Sequence, residues 1–161
     1  MNVIELSDKY KEKVERIAAK SWGSFFIVAH RELFDVRVLP CFTAVCDEGG
    51  ILGYCYYRKC GNEYEIMAIE AVKPNVGVGS ALINAVAAKA QSEDCRRVYL
   101  QTSNDNIHAL RFYQRRGFVI CDVRLNEFEY LRKLKPEIPL IGDNDIPIMH
   151  EIELELVGGM L

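Results

Sequence analysis

The pattern of apolar positions in the first part of the chain predicts two segments of regular structure. Residues 2–6 form a short apolar segment suited to a strand. Residues 7–22 carry apolar positions at the helical spacing i, i+4, i+7 and i+8, at Tyr10, Val14, Ile17 and Ala18. Ser7 is a suitable N-cap for this helix, and Gly23 follows its last residue. Residues 24–39 stay ambiguous, because their apolar run suits a strand or a helix.

Three further apolar segments, at residues 41–46, 51–58 and 64–72, predict consecutive strands. The turn sequence DEGG at residues 47–50 separates the first two, and a Gly-Asn pair at residues 61–62 separates the second from the third. Such short connections join antiparallel neighbours. We therefore expect three antiparallel strands in succession.

The second half of the chain alternates helices with strands. Helices are predicted over residues 80–93, 106–116 and 126–135, and strands over residues 97–102, 118–125 and 151–157. The last strand alternates glutamate with aliphatic residues (EIELELV), which predicts one face in solvent. The element order predicts a single domain over residues 1–161 with an α+β fold, an α/β three-layer arrangement in which helices flank a mixed, mostly antiparallel sheet.

Composition and charge narrow the class of protein. Of the 161 residues, 50% are hydrophobic and 27% are charged, which excludes a disordered chain and is typical of one packed core. The formal net charge is −3 and basic blocks are missing, so neither a nucleic acid nor a membrane surface is an expected partner. The first residues carry acids and lack the apolar core of a secretory signal. The resulting expectation is a cytoplasmic protein.

Cysteine usage agrees with a reducing compartment. Six cysteines are present, but none form a Cys-x-x-Cys pair and no histidine pattern completes a zinc site. Several lie within apolar runs, where a thiol behaves as a small hydrophobic group. We expect buried, reduced thiols and no bound metal.

A glycine-containing loop lies between a predicted strand and a predicted helix. In the segment AVKPNVGVGSALI, Gly77 and Gly79 allow close approach of a ligand to the backbone, and the first helical amides can hold an anion. The segment lacks the Gly-Lys-Ser/Thr of a nucleoside-triphosphate loop. Leu82 occupies the third glycine position of a dinucleotide-binding fingerprint. A plain tight turn explains the two glycines equally well at this point.

A second motif lies in the predicted helix at residues 106–116. The stretch NDNIHALRFYQRRGF has the spacing Asn-x-x-Ala-x-x-Phe-Tyr-x-x-x-Gly-Phe, with Asn106 at the helix start and Tyr113 two turns later. Gly117 follows as the residue that ends the helix. By itself this pattern also suits a capped helix with an aromatic residue in the core.

Together, the Gly-x-Gly loop and the Asn-x-x-Ala…Tyr-x-x-x-Gly-Phe helix, each preceded by a strand, closely resemble the GCN5-related N-acetyltransferase (GNAT) family. The resemblance is good over residues 41–125 and extends loosely over the whole chain. The stretches LPCFTAV and EIMAIEA and the Pro-rich C-terminal segment resemble a bacterial branch of unassigned substrate. One position departs from the family pattern, since Pro74 stands where the family usually has Gln or Arg. Proline has no backbone N–H, so the loop amides and Lys73 would have to hold the pyrophosphate.

The resemblance implies transfer of an acetyl group from acetyl-CoA to an amine, by direct attack in a ternary complex. It implies contacts of the pantetheine arm with the strand backbone and with one side chain, at Met67, Ala68, Ile69 and Asn106. The pyrophosphate would contact the loop and the helix start, at Val76, Gly77, Val78, Gly79 and Ser80. The acceptor would be a small-molecule or peptide amine, between walls from residues 22–40 and 136–150. A homodimer through the last strand is compatible with the pattern.

The reaction needs a base, because a primary amine has a pKa near ~10 and is mostly protonated at neutral pH. Glu65 and Glu70 are the candidates. Their odd separation puts them on opposite faces of a regular strand, and a bulge near Ala68 would change that. Glu65 falls where related enzymes carry a base and is preferred, with Glu70 as the second candidate. By resemblance, Tyr113 would protonate the CoA sulfur, and backbone N–H groups would polarise the thioester carbonyl.

Other polar side chains have plainer explanations. His108 is expected at the surface, since its spacing from the motif tyrosine puts it on another helix face. Gln101 sits where some protein N-terminal acetyltransferases of this fold carry Glu, which counts against that substrate class. A solvated face, or pairing with the acidic last strand, is expected for Arg111, Arg115 and Arg116. The alternative function, suggested by Pro74, is a non-catalytic acyl-CoA-binding sensor or interaction module on the same fold.

Overall fold

The computed structural model describes residues 1–73 and 76–157. Within these ranges the α-helices are α1 (Asp8–Trp22), α2 (Val78–Ser92), α3 (Ile107–Gln114) and α4 (Phe128–Leu134). The strands are β1 (Asn2–Glu5), β2 (Phe26–Ala29), β3 (Glu32–Asp35), β4 (Cys41–Val45), β5 (Ile51–Cys60), β6 (Glu63–Ala71), β7 (Arg97–Ser103), β8 (Val119–Arg124) and β9 (Glu151–Val157). Pro74, where the resemblance is weakest, lies outside the described residues.

In the described ranges, seven strands form one sheet in the order β1-β4-β5-β6-β7-β9-β8. The pairs β1–β4, β4–β5 and β5–β6 are antiparallel, whereas β6 and β7 are parallel. Strand β9 lies between β7 and β8 and is antiparallel to both. The predicted mixed, mostly antiparallel sheet flanked by helices is thereby confirmed.

The sheet separates two apolar clusters, because successive side chains of a strand point to opposite faces. Helices α2 and α3 cover one face, over fully buried residues that include Leu82, Val86, Val98 and Leu154. Helix α1 and the β2–β3 hairpin cover the other face, and the predicted α1 stripe is buried there at Tyr10, Val14 and Ala18. Full burial of each large aliphatic side chain contributes roughly 1.5–3 kcal/mol to stability. No helix of the described part has both the length and the apolar character needed to cross a membrane.

Strand β6 carries one extra residue at its centre. Tyr56 pairs with Ala68 and Tyr57 pairs with Ile66, so Met67 has no partner on β5. The bulge near Ala68, considered above as a condition that would change the faces of the two glutamates, is therefore present. The bulge resets the alternation of side chains, and two glutamates five residues apart therefore share one face of the sheet. Past the bulge, β6 separates from β7, since the two strands pair only from Glu63 to Ile66 within the described residues.

The segment left ambiguous by the sequence folds as a hairpin outside the main sheet. Strands β2 and β3 pair antiparallel, and a 3₁₀ turn at Val36–Val38 leads into β4. His30 and Arg31 form the hairpin turn with positive φ values of 53° and 59°. A left-handed conformation is costly for residues with a Cβ, so other contacts have to hold this turn.

Helix α2 begins at Val78, two residues before the predicted start at residue 80. Gly77 is its N-cap with φ of 81°, a left-handed conformation that glycine adopts at little cost. Gly79 therefore lies in the first helical turn. A Cβ at this position would lie 2.7 Å from Phe112 Cζ, so glycine allows α2 and α3 to pack closely at the loop.

The prediction that one face of the last strand lies in solvent is wrong. Glu151 and Glu153 are only 5% and 6% exposed. Arg124 of β8 binds both carboxylates, at 2.8 Å from Glu151 Oε1 and 2.7 Å from Glu153 Oε2. Arg97 of β7 approaches Glu153 Oε1 to 3.0 Å. The glutamates are buried because β9 lies inside the sheet, with an arginine on each side.

Candidate active site

A cavity of about 370 Å³ opens where β6 separates from β7, and we call it the first cavity. Its walls are β6 after the bulge, the start of α2 and one face of α3. The structure brings nearly all of the predicted cofactor residues together around it: Met67, Ala68, Ile69, Gly77, Val78, Gly79, Ser80 and Asn106. Val76, also predicted, is 57% exposed and does not line the cavity.

The N-terminus of α2 supplies anion-binding groups to the first cavity. The first intrahelical bond runs from Ala81 N to Gly77 O at 3.0 Å. The amides of Val78, Gly79 and Ser80 precede it, in the first turn of the helix, where amides have no carbonyl partner within the helix itself. These amides lie at the positive end of the helix dipole. The cavity wall there can therefore hold a phosphate group.

Arg116 adds a cation at the same end of the cavity. Its Nε donates to Ser80 Oγ at 2.9 Å, and its guanidinium lies 3.7 Å from the centroid of the Phe112 ring. Burial lowers the pKa of Arg116, helped by the charge of Arg115. The prediction that Arg116 lies on a solvated face is therefore wrong. The spacing of Phe112 and Arg116, one helical turn apart, is the sequence signal that could have placed this arginine at the cavity.

Tyr113 presents its hydroxyl to the first cavity from a buried ring. The side chain is 6% exposed and packs edge-on against Phe112 and Phe118, with ring centroids 5.2 and 5.4 Å away. Burial raises the pKa of Tyr113 far above its ordinary value, so the phenol keeps its proton at neutral pH. No hydrogen bond joins this hydroxyl to another residue of the described part. Its proton is available to a ligand.

Asn106 lies at the start of α3, where its side chain can both cap the helix and bind a ligand. Its Oδ1 accepts a hydrogen bond from Ala109 N at 3.1 Å and so caps the helix. The side-chain amide nitrogen is left as a donor at the cavity wall. A ligand in the first cavity would therefore meet Asn106 as a hydrogen-bond donor.

Glu70 faces the first cavity and is hydrogen bonded on one oxygen only. Tyr54 OH lies 2.7 Å from Glu70 Oε2, and Trp22 Nε1 lies 2.9 Å from the same tyrosine oxygen. Within residues 1–73 and 76–157, Glu70 Oε1 forms no hydrogen bond, and the carboxylate forms no ion pair. Glu70 is thus a carboxylate with a free oxygen at the cavity.

Glu65 is the more enclosed of the two candidate bases, at 1% exposed. Its Oε1 lies 2.8 Å from His30 Nε2. Its Oε2 accepts from Arg58 Nε at 2.7 Å and from Tyr99 OH at 3.1 Å. The hydrogen bond with Glu65 raises the pKa of His30, against the opposing effect of burial. Both oxygens of Glu65 are therefore occupied.

A second cavity, of about 240 Å³, adjoins the first one. The two cavities share the wall residues Trp22, Ile66, Met67, Gln101, Thr102 and Asn106. The rest of its wall is largely apolar and includes Ile27, Val28, Phe128, Leu131 and Ile138. The expected acceptor walls at residues 22–40 and 136–150 contribute to it, but α4, which was not expected, contributes as well.

Three charged residues also line the second cavity. Glu65 and Glu151 are acids, and burial raises the pKa of Glu151 while Arg124 opposes the rise. Lys135 donates to the carbonyl oxygens of Trp22 and Phe26 at 3.1 and 2.9 Å. Burial lowers the pKa of Lys135. The cavity is thus an apolar space with charged groups set into its wall.

Comparison with known families decides what kind of protein has this site. The model described as the acetyltransferase (GNAT) family matches residues 10–118. The chain belongs to this family. It is similar to the uncharacterized protein YdhI of Bacillus subtilis (strain 168), with 36% identity over 152 residues, 94% of this chain and 95% of that protein.

Two solved structures show the same fold as this GNAT chain. One is a GNAT family acetyltransferase from Elizabethkingia anophelis with acetyl-CoA bound, with a TM-score of 0.70 and 18% identity, covering 97% of each chain. The other is an acetyltransferase of Bacillus subtilis in complex with CoA, with a TM-score of 0.68 and 19% identity, covering 99% of this chain and 97% of that chain. At such identities these likenesses concern the fold.

Sequence reasoning missed several residues of this GNAT chain's site. Trp22 falls within the expected acceptor wall at residues 22–40, but its contact with Tyr54 of β5 was not predicted, because both residues lie far from the loop and helix motifs. Their signals were faint: Trp22 is the single tryptophan, and Tyr54 lies in the apolar run YCYY. His108 is exposed, as expected, but it lines the first cavity together with Tyr113.

Proposed function

We propose that this GNAT-family protein transfers the acetyl group of acetyl-CoA to the amine of a small molecule, by direct attack in a ternary complex. One observation carries the proposal. The cavity that holds the helix amides and the Tyr113 hydroxyl continues into a second cavity, with Trp22 and Met67 in the wall of both. Two reactants can meet there without leaving the protein.

The first cavity suits the cofactor although the chain has a net charge of −3. The amides of α2 form a local positive site, and Lys73 and Arg116 in the same wall add charge. Past the bulge, β6 has backbone groups that β7 does not pair, and the pantetheine amides can bind them. The fold is also the one seen in the CoA and acetyl-CoA complexes of the two solved relatives.

We assign Glu70 as the proton acceptor, ahead of Glu65, the candidate preferred on resemblance. A base must have a free oxygen that can reach the amine. Both oxygens of Glu65 are engaged by His30, Arg58 and Tyr99, although Glu65 lines the second cavity. Glu70 lines the first cavity, where the thioester would lie, and has one oxygen free there. In this assignment Glu65 holds the β2–β3 hairpin through His30, and Glu70 accepts the proton.

The reaction follows from these assignments. Glu70 Oε1 takes a proton from the ammonium form of the acceptor, and the free amine attacks the thioester carbonyl carbon. A C–N bond forms, the C–S bond breaks, and the Tyr113 hydroxyl gives its proton to the leaving thiolate. The acylated nitrogen then loses its second proton, which restores the Tyr113 phenol through solvent, and Glu70 releases the proton that it took to solvent. Backbone N–H groups at the β6 bulge polarise the carbonyl oxygen while it carries negative charge. The products are an N-acetyl compound and CoA.

The size and walls of the second cavity favour a small acceptor with an apolar body. A volume of about 240 Å³ suits a molecule of modest size more than a folded protein surface. Its apolar walls, among them Phe128 and Leu131, would hold a hydrocarbon or aromatic group. We therefore expect 2-phenylethylamine to react better than the tripeptide Gly-Gly-Gly.

Thiol release from acetyl-CoA in the presence of a panel of amines tests the activity. The panel contains 2-phenylethylamine, butylamine, spermidine, lysine amide and Gly-Gly-Gly. Release with at least one amine supports the enzyme. Stabilisation by acetyl-CoA in a thermal-shift assay without release from any amine would favour the alternative, a non-catalytic acyl-CoA-binding module. If saturating acetyl-CoA gave no stabilisation, both functions would be wrong.

Substitution of the two glutamates tests the choice of base. Glu70→Gln should lower kcat/KM by roughly 10²–10⁴-fold, because it removes general-base catalysis, and should leave acetyl-CoA affinity nearly unchanged. Glu65→Gln should mainly lower stability, by about 3–5 kcal/mol, because it leaves Arg58 without its buried partner. A folded Glu65→Gln without activity, next to an active Glu70→Gln, would reverse the assignment.

A further inference from the structure

Three side chains from separate elements form a continuous hydrogen-bonded chain that ends at Glu70. Trp22 is the last residue of α1, Tyr54 lies in the middle of β5, and Glu70 lies opposite Tyr54 on β6. Trp22 Nε1 is 2.9 Å from Tyr54 OH, which is 2.7 Å from Glu70 Oε2. The Tyr54 side chain is completely buried.

The direction of each hydrogen bond in this chain is fixed by chemistry. An indole N–H can only donate, so Tyr54 OH accepts from Trp22. The single phenol proton of Tyr54 is then directed to Glu70 Oε2. Burial raises the pKa of Tyr54 far above its ordinary value, so that proton is not lost at neutral pH. Glu70 accepts on Oε2 as a carboxylate, and only Oε1 is left to receive a proton.

We propose that Tyr54 and Trp22 are positioning residues, which hold the Glu70 carboxylate so that its free Oε1 is directed at the acceptor amine. This inference rests on the proposed role of Glu70 as the base. Without Tyr54, Glu70 would turn about its side-chain bonds, since no other hydrogen bond or ion pair from the described residues holds the carboxylate. A general base that is free to turn is in the reactive geometry only part of the time.

Trp22 also connects this chain to the acceptor site. Its side chain lines both cavities, at their junction, and is 42% exposed. An acceptor in the second cavity would lie against the indole ring whose N–H holds Tyr54. Contact with the acceptor can therefore stabilise the same indole orientation that positions Glu70. Helix α1 thus contributes to catalysis through its last residue, in addition to covering the sheet.

A double-mutant cycle separates positioning from a purely structural role. Tyr54→Phe should lower kcat about tenfold with the fastest amine of the panel and leave the KM for acetyl-CoA within twofold of the native value. In a Glu70→Gln background the same substitution should have no further effect, because the group that it positions is gone.

Tyr64→Phe is the matched control. Tyr64 is also buried, at 3% exposed, and its hydroxyl donates to Glu93 Oε1 at 2.9 Å, but it lines neither of the two cavities. The Tyr64→Phe variant should lose stability, as the Tyr54→Phe variant does, but its kcat should stay at the native value. A loss of kcat in Tyr54→Phe that persists in the Glu70→Gln background, or that Tyr64→Phe reproduces, would overturn the inference.

A spectroscopic measurement needs no acceptor. Trp22 is the single tryptophan, so its indole N–H gives one cross-peak in a ¹H–¹⁵N correlation spectrum. Tyr54→Phe and Glu70→Gln should both move this peak, and Tyr64→Phe should not. An indole peak that Glu70→Gln leaves in place would overturn the hydrogen-bonded chain.

The two levels of the proposal fail in different ways. If Glu70→Gln were as active as the native protein, the proposed base and the positioning role would both be wrong. If Glu70→Gln were impaired and Tyr54→Phe were not, the base would stand and the positioning inference alone would be overturned.

Discussion

At the residue scale, two glutamates of one strand differ in what surrounds them. Glu65 has a guanidinium, an imidazole and a phenol on its two oxygens. Glu70 has a single phenol. The first arrangement stabilises a buried charge and leaves no site for a proton in transit, whereas the second leaves an oxygen open. The residue type and the strand are the same, so the neighbours of each carboxylate decide its chemistry.

The proposed role of Tyr113 as the proton donor to the thiolate can be tested by a single substitution. Tyr113→Phe keeps the ring packing against Phe112 and Phe118 and removes only the hydroxyl. If this hydroxyl protonates the leaving thiolate, kcat should fall by about 10²-fold while the affinity for acetyl-CoA changes little. Steady-state thiol release with isothermal titration of acetyl-CoA measures both quantities. An unchanged kcat would show that the thiolate leaves without help from Tyr113.

At the element scale, the close packing of α2 on α3 forms the anion site. Gly79 allows Phe112 to approach the first turn of α2, and the Phe112 ring in turn carries the Arg116 guanidinium. Arg116 then reaches Ser80 Oγ, beside the helix amides. A cation at a helix N-terminus is unfavourable for the helix itself and favourable for binding a phosphate there.

Arg116→Met tests this arrangement, because methionine keeps an unbranched apolar chain on Phe112 and removes the charge. We expect the Kd for acetyl-CoA to rise by about fivefold to twentyfold, since a charge-assisted contact with a phosphate is lost. Arg115→Met is the control, because Arg115 is exposed and does not line the cavity. Equal affinities of the two variants would mean that Arg116 does not contact the cofactor.

At the scale of the whole molecule, the β2–β3 hairpin is held by ion pairs at its turn. His30 binds Glu65 of the main sheet, and Arg31 binds Glu127 at the start of α4 with two hydrogen bonds of 2.7 and 2.8 Å. The hairpin forms part of the second cavity wall through Ile27. These ion pairs therefore connect the shape of the second cavity to the sheet and to α4.

The His30 contact predicts a pH dependence of stability. The hydrogen bond to Glu65 raises the pKa of His30 above its ordinary 6.5. Protonated His30 therefore contributes its full stabilisation below pH 6.5, and this contribution is lost as the pH rises through the higher folded-state value. Melting temperatures at pH 6.0 and 8.5 should differ more for the native protein than for His30→Gln.

His108→Gln is the control for this measurement, since His108 is exposed and forms no ion pair in the described part of the chain. Its difference from the native protein should be the same at both pH values. A difference between His30→Gln and the native protein that does not depend on pH would contradict the assigned contact.

The local pattern of the sequence was sufficient for the elements and for the cofactor side of the site. The stripe at Tyr10, Val14 and Ala18 predicted α1, and the Gly-x-Gly loop and the Tyr113 helix predicted the walls of the first cavity. These features depend on residues close together in the chain, whose periodicity, capping and turn preferences act locally.

Tertiary structure decided what depends on contacts between distant residues. The insertion of β9 between β7 and β8 buried glutamates that the alternation placed in solvent, and the bulge at Met67 brought Glu65 and Glu70 to one face. The contact of Trp22 with Tyr54 joins residues 32 positions apart. Burial and charge pairing are set by such neighbours, and a single sequence specifies them only through the complete fold.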